Sequence, residues 1–256
     1  MKVRILGTGT SQGIPVIGCE CEVCLSENPK DKRLRVAALI QINGKSIAID
    51  CGPDFRQQML SAKLSGLDAI LITHEHNDHI VGIDDVRPFN FMKKQDMPVF
   101  TTERVIKCLH QRFAYIFDKD PYPGAPMVHL HPIDKQQAFE VEGIKIVPIE
   151  VMHGKLPVLG FRVGDFAYLT DIKTITAEEK AKLVGVHTLV VSALHHKEHH
   201  SHMNLNQALA LIAELKPERA FLTHISHRMG LHDEVNQELP KGVQLAFDGL
   251  EFELSH

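Results

Sequence analysis

Six consecutive residues constrain this chain more than any others: His74-Glu75-His76-Asn77-Asp78-His79, directly after the apolar run Ile70-Leu71-Ile72-Thr73. Four of the six are residue types that ligate metals. Side chains alternate in extended backbone, so His74 and His76 point the same way, whereas Asp78 and His79 fall in the following turn and address a second direction. One ion does not readily accept all four. Two ions do; imidazole suits Zn, Fe and Ni, and the carboxylate widens the choice to Mn.

Two more apolar strands end in the same manner. Ala167-Tyr168-Leu169-Thr170 runs into Asp171, and Ala220-Phe221-Leu222-Thr223 runs into His224. Ligand-type side chains just past strand ends are where sheet-based proteins collect their site residues, so a shared site is the economical reading. His153, in Met152-His153-Gly154 after a strand ending at Glu150, supplies a third imidazole to the first metal. Asp171 bridges both metals, and His224 completes the second. Asp50, at the end of its own strand, is positioned to accept the outer N–H of a ligating histidine.

The remainder of the chain suits a sheet scaffold. Strands are expected at Val3–Leu6, Val36–Ile42, Ser46–Asp50, Asp68–Thr73, Ala138–Val141, Ile144–Glu150, Leu159–Val163, Phe166–Thr170, Thr188–Leu194, Arg219–Thr223 and Val243–Phe247. Asn43-Gly44 is a tight-turn signal between two of them. Helices are expected over Phe55–Leu64, capped by Asp54 and closed by Gly66, and over Thr102–Arg112 and Ala177–Val184. A fourth, over Asn204–Leu215, has an Asn204/Gln207 capping box, an apolar face of Leu205, Ala208, Leu209, Ile212 and Leu215, and Pro217 at its end. No linker or repeat divides the 256 residues, and 44% hydrophobic content supplies a full core. We therefore expect one domain, residues 1–256, of α/β (α+β) class, with two mixed sheets covered by outer helices.

Charge and cysteine content narrow the functional classes. Lys+Arg 28 against Asp+Glu 32 leaves a net charge of −4, which drives no broad attraction to nucleic acid or to an anionic membrane. No apolar run approaches the roughly 20 residues of a membrane span, and no signal-peptide core precedes the first glycine-rich stretch; a cytoplasmic location is expected. Five cysteines, an odd count, argue against a disulfide framework. Cys51 and Cys108 read as buried apolar side chains. Cys19, Cys21 and Cys24 differ: three thiolates within six residues suit one tetrahedral zinc that takes a fourth ligand from elsewhere.

With these motifs assembled, the sequence resembles the metallo-β-lactamase superfamily, and within it the PhnP-like cyclic-phosphate phosphodiesterases. The resemblance rests on Gly7-Thr8-Gly9-Thr10-Ser11, the Cys19/Cys21/Cys24 loop, Asp50-Cys51-Gly52-Pro53-Asp54-Phe55-Arg56, the H-x-H-x-D-H segment, Gly82-Ile83-Asp84-Asp85-Val86-Arg87-Pro88-Phe89, and Thr223-His224-Ile225-Ser226-His227. It implies a four-layer αββα sandwich and two catalytic divalent metals (Zn or Mn, with Fe the further option) held by His74, His76, Asp78, His79, His153, Asp171 and His224. It also implies one structural zinc on Cys19, Cys21, Cys24 and His227. Catalytic roles fall to Asp78 and to His202, the latter sitting where related tRNA nucleases carry a His-Ser-Thr histidine. The other histidines between His195 and His200 read as a polar loop. Arg56, Arg87 and Arg228 lie beside motif segments and are candidates to grip phosphate.

The implied chemistry is hydrolysis of a small, cyclic phosphodiester such as 5-phosphoribosyl 1,2-cyclic phosphate, by a hydroxide held between two metals. Alternatives within the same fold are the accessory protein of pyrroloquinoline quinone synthesis and a tRNA-processing nuclease, the latter disfavoured by the lack of a long basic insertion. A non-catalytic metal-binding module is the alternative from another class. The expected partner is a small phosphodiester, not a membrane, with nucleic acid secondary and a homodimer allowed.

Overall fold

The computed structural model describes residues 1–254. The first half of the chain, with its last strand, builds one sheet. Its strands are β1 (Lys2–Gly7), β2 (Ala37–Ile42), β3 (Lys45–Ile49), β4 (Ala69–Leu71), β5 (Met97–Thr101) and β6 (Val128–Pro132) in spatial sequence, with β14 (Glu251–Glu253) outside β1. The second half lays down β7 (Phe139–Val141), β8 (Ile144–His153), β9 (Leu156–Val163), β10 (Phe166–Leu169), β11 (Thr188–Ser192), β12 (Arg219–Thr223) and β13 (Val243–Leu245), adjacent in that order. The turn between β2 and β3 puts Asn43 at φ 52 and Gly44 at φ 75, as a tight hairpin with the twist of its strands requires.

Eight α-helices cover the sheets among the described residues: α1 (Glu22–Leu25), α2 (Phe55–Ala62), α3 (Asn77–Ile80), α4 (Arg87–Lys93), α5 (Glu103–Arg112), α6 (Ala177–Ala181), α7 (Leu205–Leu215) and α8 (His232–Glu238). Apolar side chains sort into three layers. Val3, Ile5 and Ile47 meet Ile146, Phe161 and Tyr168 between the sheets. Phe55, Met59, Phe89 and Leu109 seal the outside of the first sheet. Leu205, Ala208, Ile212 and Val235 seal the second. The architecture is the four-layer αββα sandwich, each sheet buried on both faces as parallel strands demand.

This topology positions the site. Pairs β3–β4, β4–β5, β10–β11 and β11–β12 are all parallel, so within each sheet the C-terminal strand ends share one edge. Asp50, His74, Asp171 and His224 follow β3, β4, β10 and β12 and emerge there.

Several elements differ from the sequence expectation. α2 stops at Ala62, closed by Lys63 in the left-handed conformation rather than by Gly66, and Asp54 makes no side-chain cap. Arg35 takes that carboxylate instead, its backbone N–H donating at 2.8 Å and its Nη1 at 3.2 Å. α7 has the full Asn204/Gln207 capping box, but its buried face includes Leu211, with Leu209 and Leu215 only partly covered. Asp78 and His79 lie in the first turn of α3, and His153 ends β8 rather than following a strand that stops at Glu150. Strands β5, β6 and β14 and helices α4 and α8 lack a sequence signal of their own. Pro98 lies within β5, and β6 is a half-exposed edge strand bearing His129 and His131.

Candidate metal centre

Three strand ends repeat one local pattern, a fully buried threonine followed by a ligand-type residue: Thr73-His74, Thr170-Asp171 and Thr223-His224. Asp171 and His224 adopt left-handed backbone, at φ 54 and 53, as does Asp50 at φ 64. Non-glycine residues pay for that conformation, Asp and His less than most, and it turns each side chain sharply off its strand toward the gap between sheets.

The donors converge there. His79 Nε2 lies 3.4 Å from Asp78 Oδ2 and 3.3 Å from Asp171 Oδ2. His224 Nε2 lies 3.2 Å from Asp171 Oδ1 and 3.9 Å from Asp78 Oδ2. Both nitrogens are buried, yet neither has a hydrogen-bond partner among the described residues. His74 Nε2 stands 2.9 Å from His76 Nδ1, and the His76 ring is 5.3 Å from that of His153. The ligand atoms of His74, His79 and Asp171 lie within 4.8 Å of one another, as do those of Asp78, His79 and His224, and those of His153, Asp171 and His202. His76 is the exposed member of the set.

Outer contacts aim these donors. Asp50 Oδ2 takes His79 Nδ1 at 2.6 Å, and its two oxygens also accept from Thr73 N at 2.8 Å and Thr73 Oγ1 at 3.0 Å. The His153 Nδ1–H donates to Ser201 O at 2.9 Å, which leaves Nε2 for the site. Thr73 and Ser201 were not singled out from the sequence. The signal for Thr73 was the recurring Thr-ligand pair; Ser201 contributes only a backbone carbonyl and has none.

Burial pushes the Asp171 carboxyl up, but His224, His79 and His74 reverse this and hold it well below the usual carboxylate range. A buried carboxylate held anionic between unpartnered imidazole nitrogens is a set that fits divalent cations, because without them the nitrogens are desolvated for no return. His202 sits against this set. Its ring stacks on His224 at 4.8 Å, its Nδ1 is 3.8 Å from Asp171 Oδ1, and burial with the neighbouring His224 pushes its pKa down to about 2.

A second cluster lies nearby. Cys19, Cys21 and Cys24 place their sulfurs 3.3, 3.3 and 3.5 Å from His227 Nδ1. Little else orders this segment: Ile14, Val23 and Cys24 form a small separate apolar cluster.

The three arginines separate. Arg56 opens onto a groove between α2 and α4, lined by Met59, Leu60, Phe89 and Met92 and by none of the metal-site residues. The grip expected of it on phosphate at the metals is thereby corrected, because Phe55 points inward at the first position of α2 and Arg56, next along the turn, faces out. Arg87 is engaged by the Asp84 carboxylate, three residues earlier. Arg228 lines a cavity that includes His202 and His224.

The comparisons agree with this geometry. A family model described as a beta-lactamase superfamily domain matches residues 45–225. A solved structure described as a new diphosphatase from the PhnP family superposes with a TM-score of 0.92 at 40% identity, covering 98% of this chain and 96% of that one. Among curated proteins, an octanoyltransferase of Porphyromonas gingivalis is 42% identical over 253 residues, 98% of this chain but 51% of that protein. A coenzyme PQQ synthesis protein B of Acinetobacter baylyi is 29% identical over 180 residues, 63% of this chain and 57% of that one. The chain thus spans about half the length of the curated relatives it matches.

Proposed function

The chain belongs to the metallo-β-lactamase superfamily, close to the PhnP-like enzymes, and from that premise we propose that it is a dinuclear metal-dependent phosphodiesterase acting on a small cyclic phosphodiester. The observation that carries this reading is the pair of buried, unpartnered nitrogens, His79 Nε2 and His224 Nε2, aimed at the carboxylates of Asp78 and Asp171. On this reading His74, His76 and His153 hold one cation, Asp78, His79 and His224 the other, and Asp171 both. Two such cations supply charge neutralisation at the phosphoryl oxygens and an activated water.

The chain's own residues do the rest. Asp50 fixes the His79 ring so that Nε2, not Nδ1, faces the site, and Ser201 O does the same for His153. Burial of the donors excludes bulk water and strengthens each electrostatic contact with a bound phosphate. His202, beside the cluster but outside the H-x-H-x-D-H segment, is the residue assigned to protonating the departing alkoxide; its ring is neutral in the free protein, so this role requires the negative charge of a bound phosphate to raise its pKa. A sugar cyclic phosphate such as 5-phosphoribosyl 1,2-cyclic phosphate has such a leaving group. The acyl-transfer name of the longer relative does not alter the reading, since about half of that protein has no counterpart here.

The test uses metal-loaded protein on bis-p-nitrophenyl phosphate and on a sugar cyclic phosphate. Turnover that chelation abolishes is expected with Zn or Mn; no turnover of any diester with Zn, Mn or Fe would leave a metal-binding module. His202→Ala should depress kcat on the cyclic sugar phosphate by ~100 to 10,000-fold and affect the p-nitrophenyl diester much less, because p-nitrophenolate leaves without a proton. Equal losses on both substrates would assign His202 to metal or substrate positioning instead.

A further inference from the structure

Ten large apolar side chains are exposed among the described residues, and they are not scattered. Six of them, Leu60, Phe91, Met92, Tyr115, Tyr122 and Met127, belong to α2, α4 and the segment 113–127 that follows α5. Contacts join these six into one surface. Leu60 and Met92 line a groove of about 390 Å³ between α2 and α4, with the buried Met59 and Phe89 beneath. The Asn90 side chain, between Phe89 and Phe91, donates to Met127 O at 2.8 Å and accepts from Met127 N at 3.0 Å. Just ahead of α4, Tyr115 Oη donates to Asp84 Oδ1 at 2.6 Å, and the Tyr115 ring stacks on that of Tyr122 at 6.3 Å. Single exposed apolar residues are ordinary on a protein surface, whereas a contiguous group marks a place where something docks.

The charges on this surface distinguish what covers it. Arg56 and Lys63 of the α2 side line the groove together with Asp85, which lies just ahead of α4. None of these three side chains makes a hydrogen bond or ion pair among the described residues, whereas the neighbouring Lys93, Arg87 and Asp84 are all engaged. Free charge of both signs around an apolar strip suits neither a nucleic acid nor an anionic membrane, since Asp85 repels both. It does suit a surface that meets itself. In a two-fold pair the same patch serves on both protomers, so the patch has to carry its own complement. Arg56 and Asp85 meet that requirement from opposite sides of one groove. With two grooves apposed, α2 of one protomer lies along α4 of the other, the Arg56–Asp85 contact forms twice, and Leu60, Phe91 and Met92 leave water.

We propose that the α2–α4 face is the interface of a two-fold homodimer, held by this apolar strip and by reciprocal Arg56–Asp85 pairs. The inference does not depend on the substrate, because no metal-site residue lines the groove. It bears on the site through the backbone. α2 begins five residues after Asp50, and the 3-10 turn Val81–Val86 joins α3, which carries Asp78 and His79, to α4. These two segments already pack together: Gly82 N donates to Cys51 O at 2.8 Å, and Gly82 sits so close to Gly52 O that a Cβ would not fit. Pairing across α2 and α4 therefore braces the segments that carry Asp50, Asp78 and His79.

Sedimentation velocity on the full, metal-loaded chain tests this. Wild type should sediment as two chains at micromolar concentration, and the double variant Leu60→Glu with Met92→Glu as one, its metal content and circular dichroism unchanged. Arg56→Glu and Asp85→Arg each turn both cross-contacts into like-charge pairs, and each should weaken the dimer about 100-fold, or about tenfold per contact. Mixed in equal amounts, these two variants should pair with each other at wild-type strength, because the mixed dimer has opposite charges at both contacts. Such rescue on mixing requires that Arg56 and Asp85 meet across copies rather than within one chain. A monomeric wild type, a dimer indifferent to Leu60→Glu with Met92→Glu, or a mixture no tighter than its components overturns the proposal. No turnover is measured, so the result stands apart from the phosphodiesterase reading.

Discussion

Arg104 shows how one side chain outside the ligand set can govern it. From the first turn of α5 its Nη2 donates to Pro157 O at 2.6 Å and to Glu75 Oε2 at 3.0 Å, and its Nε lies 3.0 Å from Glu75 Oε1. Glu75 separates His74 from His76, and Pro157 pairs with Met152, beside His153. The guanidinium therefore ties together the two segments that carry His74, His76 and His153. Arg104→Ala should weaken retention of the cation assigned to those histidines by about tenfold in chelator competition, in the range seen when outer contacts of metal ligands are removed, while the other cation is held. Lys should restore little, because a point charge cannot span both acceptors. Equal loss of both metals would indicate general unfolding, and no loss would leave Arg104 a surface contact.

Among the elements, the cysteine segment is the one that lacks a core. α1 is four residues long with no side-chain cap, and only Val23 and Cys24 of it are buried. Burial pushes the Cys24 thiol up to about 11, whereas the backbone of Cys24, with His227, helps pull Cys21 down to about 6. Three sulfurs and one imidazole in contact can share a zinc, and such a closed site contributes directly to folding. Cys21→Ser should reduce fully loaded protein from three metals to two and lower Tm more than it alters turnover. Finding only two metals in fully loaded wild type would count against the site. The helix α7 is the contrasting case. Its capping box and apolar spacing are local, and its ends lie within one residue of those expected from sequence.

At the scale of the molecule, a buried ionic network joins segments far apart in the chain. Arg33 donates to Thr8 Oγ1 at 2.8 Å and Ala246 O at 2.5 Å and lies 3.2 Å from His232 Nδ1. Asp248 accepts from Thr8 Oγ1 at 2.7 Å and Leu34 N at 2.6 Å. Burial pushes Asp248 up to about 6, against the pull of its donors and Arg33. Burial, with Arg33 and Lys30 adding to it, pushes His232 down to about 4. The two shifts act oppositely on stability. The Asp248 contribution is present at low pH and is lost as pH rises through about 6. The His232 contribution is present above its ordinary 6.5 and is lost as pH falls through about 4. Each is worth up to about 3 kcal/mol. Urea midpoints measured between pH 4 and 6.5 should therefore show Asp248→Asn gaining relative to wild type as pH rises, and His232→Gln losing relative to it. Curves parallel to wild type for both variants would remove this network from the pH response.

The sequence by itself determined what is local and periodic. It identified the strands that end in Thr-His and Thr-Asp pairs, the α7 helix with its caps, and the H-x-H-x-D-H segment, because side-chain alternation and ligand chemistry act over a few residues. The layering followed from these, since apolar strands buried on both faces need helices outside. Only the tertiary structure decided which arginine faces the histidine and aspartate cluster. Arg56, Arg87 and Arg228 all sit beside motifs, yet the turn of α2 carries Arg56 to an outer groove and Asp84 claims Arg87, while Arg228 alone lines the cavity. It likewise decided the roles of Arg104 and Ser201, whose partners are 29, 53 and 48 residues away. The physical reason is common to all of them: a side chain's chemistry is written in its own residue, but the donor or acceptor that completes it is chosen by chain segments that meet only when the two sheets pack.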